Sequence, residues 1–347
     1  MENLLYIGTD RGVVTARSGD RQSWRIAEHG LKNWEISELA VSAESPNKVL
    51  AGTRGDGVWL SEDFGQTWKK PCYGRRGPGK VRSITIDPHN SQRLYAGCEP
   101  VDVFTSEDEG KNWIRFDSLW DMPSIAAMSY PLPRVEPHAR DVTVDSANAD
   151  VLYVALQLGF IAKSTNRGRT WTLLDKNLDC DVHTIVTDPA NPRRLVIAVG
   201  GHDSRRGEAP GRALYTSDDS GANWAPVTMD FTQEYSVPLV RDPHNPLRLY
   251  SALAHGTQGR WRKRETGAEA IMIRSDDNAK TWHQVGAGLN SREFPETITA
   301  DAMSAGRLYA ACRNGDFYTS EDAAESWRPM SLDLKVTGVN SLVLVHA

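Results

Sequence analysis

The chain has 347 residues, 39% hydrophobic and 24% charged, with a formal charge of −5. That composition describes an ordinary soluble globular protein, and the mild negative charge argues against a polyanionic partner such as nucleic acid. No run approaches the roughly 18 apolar residues needed to cross a bilayer, so no membrane association is expected.

The first segment, MENLLYIGTDRG, opens at once on a strand (LLYIG, 4–8). It lacks the basic stretch and long apolar core of a secretory leader, so a cytoplasmic location is expected. Cys72, Cys98, Cys180 and Cys312 lie far apart with no CxxC pair. That spacing fits reduced, mostly buried thiols rather than a disulfide framework.

Continuing along the chain, a worn octapeptide RSGDRQSW (17–24) is followed by SEDFGQTW (61–68), SEDEGKNW (106–113) and STNRGRTW (164–171). SDDSGANW (217–224), SDDNAKTW (275–282) and SEDAAESW (320–327) complete the series. The tryptophans at 24, 68, 113, 171, 224, 282 and 327 are spaced by 44, 45, 58, 53, 58 and 45 residues. A second motif recurs between the boxes: TIDPHNSQRLYAG (85–97), TVDSANADVLYVA (143–155), VTDPANPRRLVIA (186–198) and VRDPHNPLRLYSA (240–252). Each is a strand, a turn and a second strand. A unit then reads as four short strands, of the types VRSITID, RLYAG and GVWLS, with the fourth starting at the box Trp. Four strands repeated about every 45 residues predict a β-propeller. The orphan strand VNSLVLV (339–345) at the C-terminus completes a blade with the N-terminal strand and closes the ring. Closure removes free sheet edges. The expected architecture is one all-β domain over 1–347, a seven-bladed propeller of four-stranded antiparallel blades.

Glu62 and Asp63 look like a carboxylate pair, but repetition assigns the box to structure. Its third-position acid can accept hydrogen bonds from its own turn, its glycine supplies positive φ, and its Trp packs between sheets. A staple tolerates loss, as where Asn166 replaces the acid and Ala279 and Ala324 replace the glycine.

These boxes resemble the Asp-box, or BNR, repeat of the sialidase-like propellers. That superfamily also includes seven-bladed xyloglucanase-type glycosidases, the sortilin ectodomain and photosystem assembly factors. The resemblance covers essentially the whole chain. It implies that the boxes lie at the turn between strands three and four, facing away from the binding site. Sialidase activity is not expected. The Arg-Ile-Pro motif is absent, the nearest match being Arg25-Ile26-Ala27 after the first box, and there are seven units rather than six. Xyloglucanase-type enzymes join two propellers around a cleft, and this sequence supplies one.

If the boxes mark one face, the functional residues belong on the other. Residues 117–138, 200–212 and 254–269 are insertions expected to cover that face from adjacent blades. Counting back five from each turn Asp or its equivalent gives Ser37, Arg82, Arg140, His183, Val237, Glu296 and Asn340 at the starts of the innermost strands. Asp10, Arg54, Glu99, Gln157 and Arg313 form a second ring after strand two. His138, His183, His202 and His255 map to the same face, whereas His89 and His244 sit in turns on the other side.

His138, His183, His202, His255 and Glu296 are candidate ligands for a divalent transition metal (zinc, iron, copper or manganese), because imidazole and carboxylate suit these ions. His183, His138 and Glu296 are equally candidates for metal-free acid–base catalysis. Arg82, Arg140, Arg54, Arg313 and Tyr235 are the candidate substrate-binding residues, and Cys98 and Cys312 are possible soft ligands beside the funnel. The basic run Arg260-Trp261-Arg262-Lys263-Arg264 offers a surface for an acidic partner.

Two functions fit these residues. One is a small-molecule hydrolase or lyase acting on a polar or anionic ligand in the central funnel. The other is a binding or assembly propeller presenting its basic face to a protein.

Overall fold

The computed structural model describes residues 2–42, 44–71, 77–129, 136–332, 334, 336 and 338–347. These residues form seven antiparallel sheets, six of four strands and one of three. Blade 1 joins Val339–His346 to Asn3–Thr9, Gly12–Ser18 and Arg25–Gly30. Blade 2 holds Ile36–Val41, Val49–Thr53 and Val58–Ser61, and one bridge from Leu60 to Lys69 marks the place of its fourth strand. Blades 3 to 7 begin at Lys80–Asp87, His138–Val144, Val182–Thr187, Tyr235–Arg241 and Pro295–Ala300, each continuing through three more strands. Each first strand contacts those of both neighbouring blades, so the seven make a closed inner ring.

The chain ends close that ring as the sequence predicts. Asn3 pairs with His346 and Ile7 with Leu342. His346 adds a clasp between blades: Nδ1 lies 2.9 Å from Asn3 Oδ1, and Nε2 lies 2.8 Å from Asp301 Oδ1 in blade 7.

The core lies between blades. Second-strand Tyr6, Tyr95, Tyr153, Tyr250 and Tyr309 are fully buried. Neighbouring sheets cover both faces of these middle strands, which is why they read as continuous apolar runs rather than as strict alternation.

Each box is the turn between strands three and four. In blade 2, Ser61 Oγ and Thr67 N both donate to Asp63 Oδ1 at 2.8 Å, Gly65 N donates to Ser61 Oγ at 2.8 Å, and Trp68 Nε1 donates to Gly65 O at 3.1 Å. Asn166 substitutes without loss, since its Oδ1 accepts from Thr170 N and its Nδ2 donates to Thr170 Oγ1. Ala279 and Ala324 hold the glycine position at φ of 65° and 71°, a left-handed backbone that disfavours a Cβ. The worn copy keeps more of the network than its sequence suggests: Ser18 Oγ and Ser23 N both donate to Asp20 Oδ1, at 3.0 and 2.7 Å. It has lost one residue, since Asp20 precedes Trp24 by four positions where Asp63 precedes Trp68 by five.

The 117–138 insertion differs from the expected face-covering loop, and its residues 130–135 lie outside the described residues. Its first part forms two short helical turns, Asp117–Asp121 and Pro123–Ala126, that bury Leu119, Met122 and Ile125 between blades 3 and 4. Apolar residues at this spacing make the segment an inter-blade wedge. Cys72 also lies outside the described residues.

Candidate functional site

Every inner strand carries a β-bulge near its start. The register skips Ser37, Arg82, Arg140, His183 and Glu296 in blades 2, 3, 4, 5 and 7, and Asn340 in blade 1. In blade 6, Val237 and Pro238 face one partner residue. The bulged positions are the seven found by counting back from the turn acids. A bulge leaves one residue unpaired and re-aims its side chain, and here all seven line a central channel of about 730 Å³.

The bulge also puts consecutive residues on the channel wall, breaking the alternation of a regular strand. Ser37 and Glu38 both line it, as do Arg140 with Asp141 and Glu296 with Thr297. The sequence reading therefore missed Glu38 and Asp141. It also missed Asp181, which precedes the inner strand of blade 5 and lines the channel too. The detectable signal was a charged residue immediately after a ring position.

The structure brings together His138, His183, Glu296, Arg82, Arg140, Arg54, Arg313 and Tyr235, all of which line the channel. His202 and His255 are not among the lining residues. His202 stands beside Cys180 and Asp203, and His255 Nδ1 lies 3.2 Å from Glu234 Oε2. The five candidate metal ligands thus fall into three places. Among the described residues, the only group of three His, Cys, Asp or Glu ligand atoms within 4.8 Å of one another is Cys180, His202 and Asp203. Cys98 and Cys312 are buried in the sheets and do not line the channel. Of the three insertions, 254–269 adds Thr257, Gln258 and Gly259 to the channel lining, and 117–138 contributes its last residue, His138.

The basic run is also corrected in part. Trp261 closes a short helix, Gln258–Trp261, and is buried rather than presented to a partner. Its indole donates to His255 O at 2.7 Å and packs on Tyr235 and Phe294. Arg260, Arg262, Lys263 and Arg264 remain exposed.

Four arginines and four acids line the channel, and much of that charge is paired internally. Arg82 bonds Glu99, Arg54 Nε lies 3.2 Å from Glu35, and Arg140 lies 4.0 Å from Glu296. Gln258 donates to Glu296 at 2.6 Å and accepts from Arg313. His183 Nδ1 donates to Ser236 O at 2.7 Å, leaving Nε2 facing Asp181 Oδ1 at 3.3 Å.

Burial, followed by the charges of Arg82, Arg140 and Arg54, drives His138 down to about 3. It is therefore a neutral imidazole near pH 7 and is unsuited to act as a general acid there. Burial pushes Glu38 up to about 7, against hydrogen bonds from Ser341 Oγ at 2.6 Å and Leu39 N at 3.2 Å. Among charged groups, Asp141 adds to the rise and Arg140 opposes it. Burial also raises Asp141. Burial would raise Asp181 as well, but His183, Arg140 and Arg205 hold it below the ordinary carboxylate value. The channel thus holds a carboxyl that keeps its proton near neutrality and another that does not.

The fold is a seven-bladed propeller of antiparallel blades around a polar central channel. No protein-family model matches the chain. The chain is 31% identical over 116 residues to a probable oligoxyloglucan-reducing end-specific xyloglucanase of Neosartorya fischeri, covering 32% of this chain and 14% of that protein. It is 25% identical over 259 residues to the oligoxyloglucan-reducing end-specific xyloglucanase of Emericella nidulans, covering 65% of this chain and 31% of that one. The chain thus spans under a third of either relative. Among solved structures, the Niastella koreensis GH74 enzyme superposes with a TM-score of 0.62 at 17% identity, over 85% of this chain and 45% of that one. YCF48 bound to D1 peptide superposes with a TM-score of 0.60 at 14% identity, over 91% and 89% of the two chains. These two likenesses concern the fold.

Proposed function

We propose that the chain is a glycoside hydrolase that cleaves a small saccharide bearing an anionic group, bound in the central channel. The observation that carries this reading is Glu38, a channel carboxyl held protonated up to about pH 7, in the same channel as Glu296. Glycosidic bonds are cleaved by two carboxyl groups with separate roles, and burial that raises one pKa is how one fold supplies both. Glu38 is the acid that protonates the leaving oxygen. Glu296, positioned by Gln258 and facing Arg140, is the base that takes a proton from the attacking water. The bond from the anomeric carbon to the leaving oxygen breaks as water oxygen bonds that carbon. Arg140 and Arg313 receive the anionic group, with Arg54 and Arg82 lining the same channel. The relatives named as xyloglucanases support a saccharide over other polar ligands.

Reducing-end release from neutral xyloglucan oligosaccharides and from uronate-bearing oligosaccharides, by wild type and Glu38→Gln, tests the assignment. Turnover that falls by about 10²–10⁴ in the variant supports it. No release from either class, or equal rates for the two proteins, overturns it.

The near end-to-end superposition on YCF48 bound to D1 peptide favours a second reading, a propeller that binds a protein segment. Its signature is salt-sensitive peptide binding that is lost on charge reversal at Arg262 and Lys263 or on Arg140→Ala. Peptide binding indifferent to all three removes it.

A further inference from the structure

We propose that Cys180, His202 and Asp203 bind a divalent transition ion of the zinc type, which pins the 200–212 insertion to the end of a blade 5 strand. Their ligand atoms lie within 4.8 Å of one another. Sulfur, imidazole nitrogen and carboxylate oxygen together suit zinc, and three protein ligands leave a position for water.

The three donors come from two segments that are already locked together. Cys180 lies two residues before the inner strand Val182–Thr187, whereas His202 and Asp203 precede the helical turn Ser204–Arg206. Asp179, fully buried, accepts from the backbone N–H groups of Asp181, His202 and Ser204 at 3.0, 3.1 and 2.9 Å. Cys180 N donates to Asp203 Oδ2 at 2.9 Å. The glycines before His202 allow this close approach. A Cβ at Gly200 would run into Asp181 and His183, and Gly201, at φ +67°, would run into Glu234 O. Such supporting bonds are what hold metal ligands in place before the ion arrives.

Two independent features point to a cation. The His202 ring has no hydrogen-bond partner among the described residues, although its backbone is fixed on both sides. Asp179, Asp181 and Asp203 also crowd the Cys180 thiol, with Arg205 bonding Gly200 O at 2.6 Å and lying 3.9 Å from Glu234. A divalent ion would bring that surplus of negative charge towards balance and would give the His202 imidazole a partner. Asp181 follows Cys180 and faces His183 in the channel, so the ion would sit beside the channel wall without depending on any reaction there.

The experiment uses the full chain without a histidine tag, stripped with chelator and titrated with Co²⁺. The expected result is one ion per chain, with a thiolate-to-cobalt charge-transfer band that Zn²⁺ displaces. Cys180→Ser and His202→Ala should each abolish the band. His202→Ala replaces a side chain with no bonding partner, so it should keep the wild-type fold by circular dichroism and guard against misfolding of the cysteine variant. A missing band in wild type into the millimolar range overturns the proposal, as does a band retained in His202→Ala.

Discussion

Replacing Asp63 by Asn and by Ala separates a structural staple from a functional acid. Asp63 accepts three hydrogen bonds, from Ser61 Oγ and Thr67 N at 2.8 Å and from Thr67 Oγ1 at 2.5 Å. Blade 4 already carries Asn at this position with its network intact, so Asp63→Asn should be nearly neutral at pH 7. Asp63→Ala loses all three bonds at an exposed turn where water replaces part of each, a net loss of about 1–2 kcal/mol. At about 2.1 cal/mol/K per residue, 347 residues give an unfolding entropy near 0.7 kcal/mol/K, so Tm should fall by only about 2 °C. Urea unfolding followed by tryptophan fluorescence resolves such a change better than a thermal scan. The pH dependence supplies a second check. Hydrogen bonds from Thr67 hold the Asp63 carboxyl below its ordinary value, and those from Asn223 hold Asp219 at about 2. Stability from a depressed carboxylate is fully present above the ordinary value near 3.8 and is lost as pH falls through the folded value. Because these groups are mostly exposed, solvent screening keeps each contribution below about 1 kcal/mol. Asp63→Asn should remove its share of that acid-side loss. An Asn variant as unstable as the Ala variant would refute the reasoning, as would stable variants of either kind that lose ligand binding.

Glu38 gives the opposite sign. Its carboxyl is raised to about 7, so ionisation destabilises the fold as pH rises from about 4.5 to 7. Glu38→Gln should therefore unfold like wild type at pH 4 and be more stable at pH 8 by about 1–3 kcal/mol in urea titrations. His346→Ala removes the clasp to Asn3 and Asp301, and urea unfolding should show a loss of about 1–3 kcal/mol that leaves channel binding unchanged. Gly200→Ala drives a Cβ into Asp181 and His183, so it should disturb the Nε2–Asp181 contact, visible as a shifted His183 ring resonance by NMR.

The propeller was legible because its signals are local and repeated. Box, turn and second strand each lie within a dozen residues, and seven copies average out the worn one. The channel ring was legible for the same reason, since the turn acid counts back a fixed distance to the bulge. The bulge itself was not, and with it went Glu38 and Asp141, which alternation would send to the opposite face. His202 and His255 were assigned to one funnel because a loop's side of the propeller can be read from sequence. Its reach toward the axis depends on packing such as that of Trp261 on Tyr235 and Phe294. The 117–129 segment was misjudged because a long interval was taken for a surface loop, although Leu119, Met122 and Ile125 carry helical spacing.

The central claim is that Glu38 supplies the proton for hydrolysis in the channel. The most direct test is the pH dependence of kcat/KM for wild type and Glu38→Gln on whichever oligosaccharide is cleaved. The account predicts a wild-type rate that falls as pH rises through about 7, with a Gln variant slower by about 10²–10⁴ and lacking that alkaline limb. A wild-type rate flat through pH 7, or an alkaline limb that survives in Glu38→Gln, would contradict it.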